Sequence, residues 1–131
     1  FDYTISDGNG GTDQANVDLL VNGTNELPVA VDDSGFSTIE GVSITLDVLA
    51  NDTDVDANDD LLISSVDTVT ALGGTVLNNG SDLTYIPPTS LSTGVTDTDT
   101  FEYFVGDGNG GVSANPATVS IEVTGFDGPS F

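Results

Sequence analysis

Apolar and polar residues alternate over several short stretches of this chain, and no apolar residues recur at helical spacing. Val42-Ser43-Ile44-Thr45-Leu46-Asp47-Val48 alternates strictly, which predicts a strand with one buried face. Val29 to Asp32 and Phe36 to Ile39 read as a first strand split in two. Leu61 to Val66 is the third strand, and Thr75 to Leu77 and Leu83 to Ile86 flank a hairpin turn at Asn78-Asn79-Gly80-Ser81-Asp82. Pro87-Pro88 ends that strand, because proline cannot donate to a sheet ladder. Thr100 to Val105 is the sixth strand, Asp107 to Gly111 its turn, and Ala117 to Val123 the seventh. About seven short strands without helical periodicity predict an all-β chain folded as a seven-stranded Greek-key β-sandwich.

Part of the pattern occurs twice. Phe1-Asp2-Tyr3-Thr4-Ile5-Ser6-Asp7-Gly8-Asn9-Gly10-Gly11 returns as Phe101-Glu102-Tyr103-Phe104-Val105-Gly106-Asp107-Gly108-Asn109-Gly110-Gly111. The alternating stretch Val17 to Gly23 returns as Val119 to Gly125. A linker follows each copy, Thr24-Asn25-Glu26-Leu27-Pro28 and Phe126-Asp127-Gly128-Pro129. This organisation predicts the last two strands of a preceding repeat with linker over 1–24, a complete repeat over 25–124, and the linker to a following repeat over 125–131.

Charge changes the picture. The 131 residues carry 18 Asp and four Glu and no Lys, Arg or His, a formal net charge of -22. No side chain of such a chain can neutralise phosphate, which argues against nucleic acid and anionic membranes as partners, and no apolar run approaches the ~20 residues of a membrane span. Asp is short and favours turns, so its excess over Glu points to loops built around ions. The densest such loop is Leu49-Ala50-Asn51-Asp52-Thr53-Asp54-Val55-Asp56-Ala57-Asn58-Asp59-Asp60. Two carboxylates about 4 Å apart repel by roughly 4 kcal/mol at an effective dielectric near 20, and no basic side chain exists to relieve them. The loop therefore stays splayed in water or takes up a cation. Alternate acids at Asp52, Asp54 and Asp56 can converge on one point, and hard oxygen ligands at this density suit Ca²⁺.

Strand direction assigns the remaining acids to two ends. The second and sixth strands deliver the acidic loop and Asp107 to one pole, here called upper, where the first strand also begins. The upper candidates for metal ligation are Asn25, Glu26, Asp52, Asp54, Asp56, Asp60, Asp107 and Asn109. The lower ones are Glu40, Asp97, Asp99 and Asp127. Acids at both poles, beside the linkers, are where ions would stiffen one repeat against the next.

Val-Leu-Ala-Asn-Asp-Thr-Asp-Val-Asp at 48–56, the Phe-x-Tyr-x-Val-x-Asp-Gly-Asn-Gly-Gly of 101–111 and the proline-ended linkers together resemble the tandem cadherin-like repeats of large bacterial RTX-type surface adhesins. The resemblance implies a cadherin/immunoglobulin-like sandwich that binds calcium between domains. It gives ligand roles to Asp54, Asp56, Asp107, Glu40 and Asp127, and sets Asp97 and Asp99 where the family has an acidic pair. It further implies a cell-surface or secreted protein involved in cell adhesion and biofilm. Two linkers depart from the family: Asn25-Glu26-Leu27-Pro28 stands for the more usual Asn-Asp-Ala-Pro, and Phe126-Asp127-Gly128-Pro129 is also irregular.

Rival motifs fail on particular residues. An EF-hand starting at Asp52 would need glycine where Ala57 stands and glutamate where Ile63 stands. The Gly-Asn-Gly-Gly stretches occur singly, without the repeating aspartate of a calcium β-roll, and a hairpin turn explains their glycines. The Cys and Trp landmarks of antibody domains are absent. Enzyme chemistry finds no His, Cys or Lys to serve as base or nucleophile. The expectation is a non-enzymatic, calcium-binding extender repeat with no small-molecule substrate, whose partners are neighbouring repeats or other copies of itself. A filament subunit that polymerises by strand exchange through residues 1–24 is the alternative.

Overall fold

The computed structural model describes residues 1–18 and 23–127. Among the described residues nine strands appear: β1 Asp2–Ser6, β2 Thr12–Asn16, β3 Asp33–Ile39, β4 Ile44–Leu46, β5 Leu62–Val66, β6 Thr75–Asn78, β7 Leu83–Ile86, β8 Thr96–Gly106 and β9 Ala117–Thr124. Seven of them, β3 to β9, build the β-sandwich, and β1 with β2 makes a separate hairpin. One sheet has the order β3-β9-β8-β5 and the other β4-β7-β6. The expected alternating stretch over 17–23 falls partly on 19–22, outside the described residues, as do Gly128 and Pro129 of the second linker.

The split first strand has a physical counterpart. Val29 bridges Thr53 through two backbone hydrogen bonds of 2.8 and 3.1 Å. The chain then crosses over, and β3 runs parallel to β9 with a register shift between Asp33 and Phe36. Gly35, with φ +87°, lies inside that shift and takes a backbone shape that most side chains disfavour.

Strand period sets the core. In β9 the odd positions Ala117, Val119, Ile121 and Val123 are buried, and in β8 Phe101, Tyr103 and Val105 join them. Leu46 and Val48, with Val76, Leu83 and Tyr85, face them from the second sheet and its flank. Tyr85 and Phe101 stack across the core with ring centroids 6.5 Å apart. Each such side chain contributes on the order of 1.5–3 kcal/mol by leaving water.

β8 begins earlier than its apolar alternation predicts. Thr96, Asp97, Thr98 and Asp99 pair with Thr124, Val123, Glu122 and Ile121 of β9. Asp97 and Asp99 thus belong to a strand rather than to a loop at the lower pole.

The hairpin reproduces β8–β9 in miniature. Tyr3 pairs with Ala15 as Tyr103 pairs with Ala117. Yet Phe1, Tyr3 and Ile5 are exposed, whereas their counterparts Phe101, Tyr103 and Val105 are core. Among the described residues no hydrogen bond joins the hairpin to the sandwich.

Candidate metal centre

At the upper pole the acidic loop leaves a short 3-10 turn over Leu49–Asn51 and passes between the linker and the turn after β8. The Asp56 N–H donates to Asp54 Oδ1 at 2.8 Å, and the Asp59 N–H donates to the Asp56 carbonyl at 3.1 Å. That second bond closes a turn over Ala57 and Asn58 and returns Asp59 toward Asp54. One carboxylate oxygen from each of Asp54, Asp56 and Asp59 lies within 4.8 Å of the other two. Asp54 Oδ2 and Asp59 Oδ2 are buried without any hydrogen-bond partner. Shielded carboxylate oxygens of this kind are satisfied by an ordered water or a bound cation.

Neighbouring residues tie the acids of this pole to the linker and to the turn after β8. The Glu26 N–H donates to Asp56 Oδ2 at 2.8 Å, and the Asn25 amide donates to Asp107 Oδ2 at 2.7 Å. The Asn109 amide donates to Asp59 Oδ1. Asp107 Oδ1 accepts the N–H groups of Asn109 at 2.7 Å and Gly111 at 2.9 Å. Gly111 sits so close that a Cβ there would overlap Asp107 Oδ2. The Asn25 amide and these backbone donors hold the Asp107 carboxyl below the ordinary carboxylate range. Asp59 moves the opposite way: burial, then the charges of Asp54, Asp56 and Asp107, push its carboxyl up, against the pull of Asn109. A shallow cleft lined by Thr24, Asn25, Asp56 and Asp59 opens beside the trio.

This donor set is all oxygen, anionic and partly unsatisfied, in a chain with no basic side chain. It fits a hard divalent cation such as Ca²⁺, for which Asp54, Asp56 and Asp59 would be the anionic ligands.

Of the upper residues singled out by sequence, the structure therefore gathers Asn25, Asp54, Asp56, Asp107 and Asn109, with Glu26 contributing through its backbone. It adds Asp59, which simple alternation from Asp52 to Asp56 passes over. The signal was the Ala57-Asn58 turn, which shifts the next inward position by one. Asp60 is exposed and outside the trio.

Asp52 goes elsewhere. Its Oδ1 accepts the Val31 N–H at 2.7 Å and its Oδ2 lies 2.9 Å from Tyr103 Oη, inside the sandwich. Burial pushes its carboxyl up, against those two hydrogen bonds.

The lower acids do not meet. Glu40 is buried, with Oε1 accepting the Leu91 N–H at 2.7 Å and Oε2 the Phe126 N–H at 3.3 Å, so it ties the second linker to the sandwich. Asp127 and Asp97 are exposed, and Asp97 accepts the N–H of Thr98 beside it. Asp99 is fully buried. Its Oδ2 accepts Tyr85 Oη at 2.6 Å and the Thr70 hydroxyl, and its Oδ1 accepts the N–H groups of Leu72 at 2.8 Å and Thr100 at 3.0 Å. Four donors occupy a carboxylate that offers about four lone-pair sites, so Asp99 is a closed structural anchor.

A family model for the bacterial cadherin-like domain matches residues 25–125. No curated protein and no solved structure matches the chain. Among the described residues no helix is long and apolar enough to cross a membrane.

Proposed function

The chain belongs to the bacterial cadherin-like domain family, and from that premise we propose that it is a non-enzymatic extender of a long extracellular adhesin of the RTX type, stiffened by Ca²⁺. Cadherin-like domains generally bind calcium, and one observation carries the assignment of the ion to the upper pole. Asp54, Asp56 and Asp59 bring their oxygens within 4.8 Å, two of those side chains keep a buried oxygen unpaired, and no basic group is available.

The chain's own residues suggest how a bound ion would act mechanically. Asn25 and Glu26 belong to the linker, and each is already tied to an acid of the site. Charge neutralisation there removes the repulsion that would otherwise splay loop and linker apart. Extracellular modules of this kind bind Ca²⁺ at roughly 10⁻⁴–10⁻³ M, which suits an exterior with millimolar calcium. The hairpin fits as the closing strand pair of a preceding repeat, since it shares sequence and register with β8–β9.

Melting the protein in excess chelator, then in millimolar Ca²⁺ or Mg²⁺, tests the reading. A rise in Tm with Ca²⁺ and little with Mg²⁺, on a monomer, is expected. Equal melting in all three solutions would reduce the cluster to a solvated loop. The exposed Phe1, Tyr3 and Ile5 favour a second reading, a filament formed by strand exchange through residues 1–24. Concentration-dependent polymers in sedimentation would shift the assignment to it.

A further inference from the structure

Tyr103 Oη is surrounded by too many acceptors. It lies 2.8 Å from the Val48 carbonyl, 2.9 Å from Asp33 Oδ2, 2.9 Å from Asp52 Oδ2 and 3.4 Å from the Val31 carbonyl. A phenol has one hydrogen to give. With both aspartates ionised, every one of these oxygens can only accept, and at least two short contacts become repulsive. Tyr103 is fully buried, and Asp33 and Asp52 are each only 8% exposed. Asp52 has a backbone donor in the Val31 N–H, whereas Asp33 has beside it only the Asn51 amide, one hydrogen of which goes to the Asp32 carbonyl at 3.0 Å and the other toward Asp33. Among the described residues no backbone N–H reaches the Asp33 carboxyl.

We propose that Asp33 is protonated in the folded protein and donates to Tyr103 Oη, which donates onward to Asp52, so that a single proton latches the first strand to the base of the acidic loop. The hydroxyl then gives one hydrogen bond and receives one, and only one net charge remains in the pair. The latch requires no metal ion and stands whether or not the upper trio binds one. Its titratable surroundings are acidic or neutral throughout. Tyr103 comes from β8, Asp52 from the loop, and Asp32 from the chain beside Asp33, where its Oδ1 is held by the Thr118 N–H at 2.8 Å. β9 presents Val119 opposite Asp33. Burial, opposed by the Tyr103 and Asn51 bonds and reinforced by the Asp52 and Asp32 charges, pushes the Asp33 carboxyl up to about 6 from 3.8.

The direction of the pH effect follows. The folded state holds this proton more tightly than the unfolded chain, so the latch contributes fully below the ordinary carboxylate value. Its contribution is lost as pH rises through about 6. Above that range a second carboxylate stands beneath the loop that carries Asp54, and the joint is weakened.

Carboxyl ¹³C NMR on the whole 131-residue chain in excess chelator reads the proton directly. A midpoint for Asp33 near 6 is expected, a proton held roughly a hundredfold tighter than in the free side chain. A midpoint at or below the free value would overturn the latch. Asp33→Asn supplies a second reading, because its amide can give the same hydrogen to Tyr103 at any pH. It should melt above the wild type at about pH 8, and that advantage should narrow at about pH 5 and vanish only as pH falls below the ordinary carboxylate value of 3.8. Melting below the wild type by the same margin at both pH values would mean that Asp33 acts as an ionised acceptor. An Asp33 signal that moves when Ca²⁺ or Na⁺ is added near pH 8, by an amount that saturates, would place a cation where we place the proton. Should Asp33→Asn fail to fold, the wild-type titration alone decides.

Discussion

The Asn25 amide, in the linker, donates at 2.7 Å to Asp107 Oδ2, 82 positions later in the chain. A hydrogen bond to an ionised group is stronger than one between neutral partners. This one fastens the entry of the repeat to the turn after β8, so the linker is held before any ion arrives. Asn25→Ala should lower Tm by several degrees and weaken Ca²⁺ binding without abolishing it. It should also shift acid unfolding. Asp107 is held below the ordinary carboxylate range chiefly by Asn25, so its contribution is present above that range and lost as pH falls through its lowered value. Without Asn25 that loss should begin at a higher pH, as an acid titration followed by circular dichroism would report.

Asp59 and Asp60 are adjacent and chemically identical, but only Asp59 enters the trio. Asp59→Asn should reduce Ca²⁺ affinity by about tenfold or more, close to 1.4 kcal/mol, whereas Asp60→Asn should leave it within about twofold. Calorimetric titration of the two variants tests the assignment. Equal losses would show that the site draws on the loop's overall charge rather than on particular ligands.

Removing the ion should cost stability by mass action. At calcium about twenty times above its dissociation constant, binding to the folded state stabilises by roughly 1.8 kcal/mol. For a domain near 100 residues that is about 7–14 °C in Tm. A chelator melt that moved by less than about 2 °C would mean that calcium at this concentration leaves the folded state largely unbound.

Much of this architecture was legible in the chain. Strict alternation in Val42–Val48 and Ala117–Val123 located the strands that became β4 and β9, and the repeated Phe-x-Tyr segment falls on β1 as its counterpart falls on β8, although β2 at Thr12–Asn16 lies ahead of the expected 17–23 strand. What failed to show were partners distant in sequence. Asp99 reads in sequence as a metal ligand of the lower pole, because Thr70 and Tyr85, which bury and satisfy it, lie 29 and 14 positions away. Asp52 falls in the rhythm of Asp54 and Asp56, but Tyr103, 51 positions on, draws it into the sandwich. Local spacing indicates which way a side chain can point in an extended strand, and both the 3-10 turn before Asp52 and the turn after Asp56 break that rhythm.

Asp99 gives the sharpest separation between acid as scaffold and acid as ligand. Asp99→Ala would leave the Tyr85 and Thr70 hydroxyls and the Leu72 N–H without their acceptor in the interior. Each lost acceptor costs on the order of 1–3 kcal/mol, so a total of about 3 kcal/mol or more is expected, a fall in Tm of at least about 12–24 °C. Calcium affinity measured below the new melting range should be unchanged, and a matching loss of affinity would make Asp99 part of an ion site.

The hairpin makes a prediction in the opposite direction. Phe1, Tyr3 and Ile5 present to solvent the same face that Phe101, Tyr103 and Val105 bury. Among the described residues the hairpin has no hydrogen bond to the sandwich, so removing residues 1–18 takes little support from the core. The shortened protein should melt within about 2 °C of the full chain, since 1 kcal/mol moves a domain of this size by about 4–8 °C. Its exposed apolar surface should fall, so binding of a hydrophobic dye and any concentration-dependent association should fall with it. Replacing Phe1 and Ile5 by Ser in the full chain should have the same effect on association while keeping the hairpin's length and turn. If the shortened protein instead melts far below the full chain, the hairpin is packed on its own sandwich in solution. Strand exchange between copies would then lose the exposed face on which it depends.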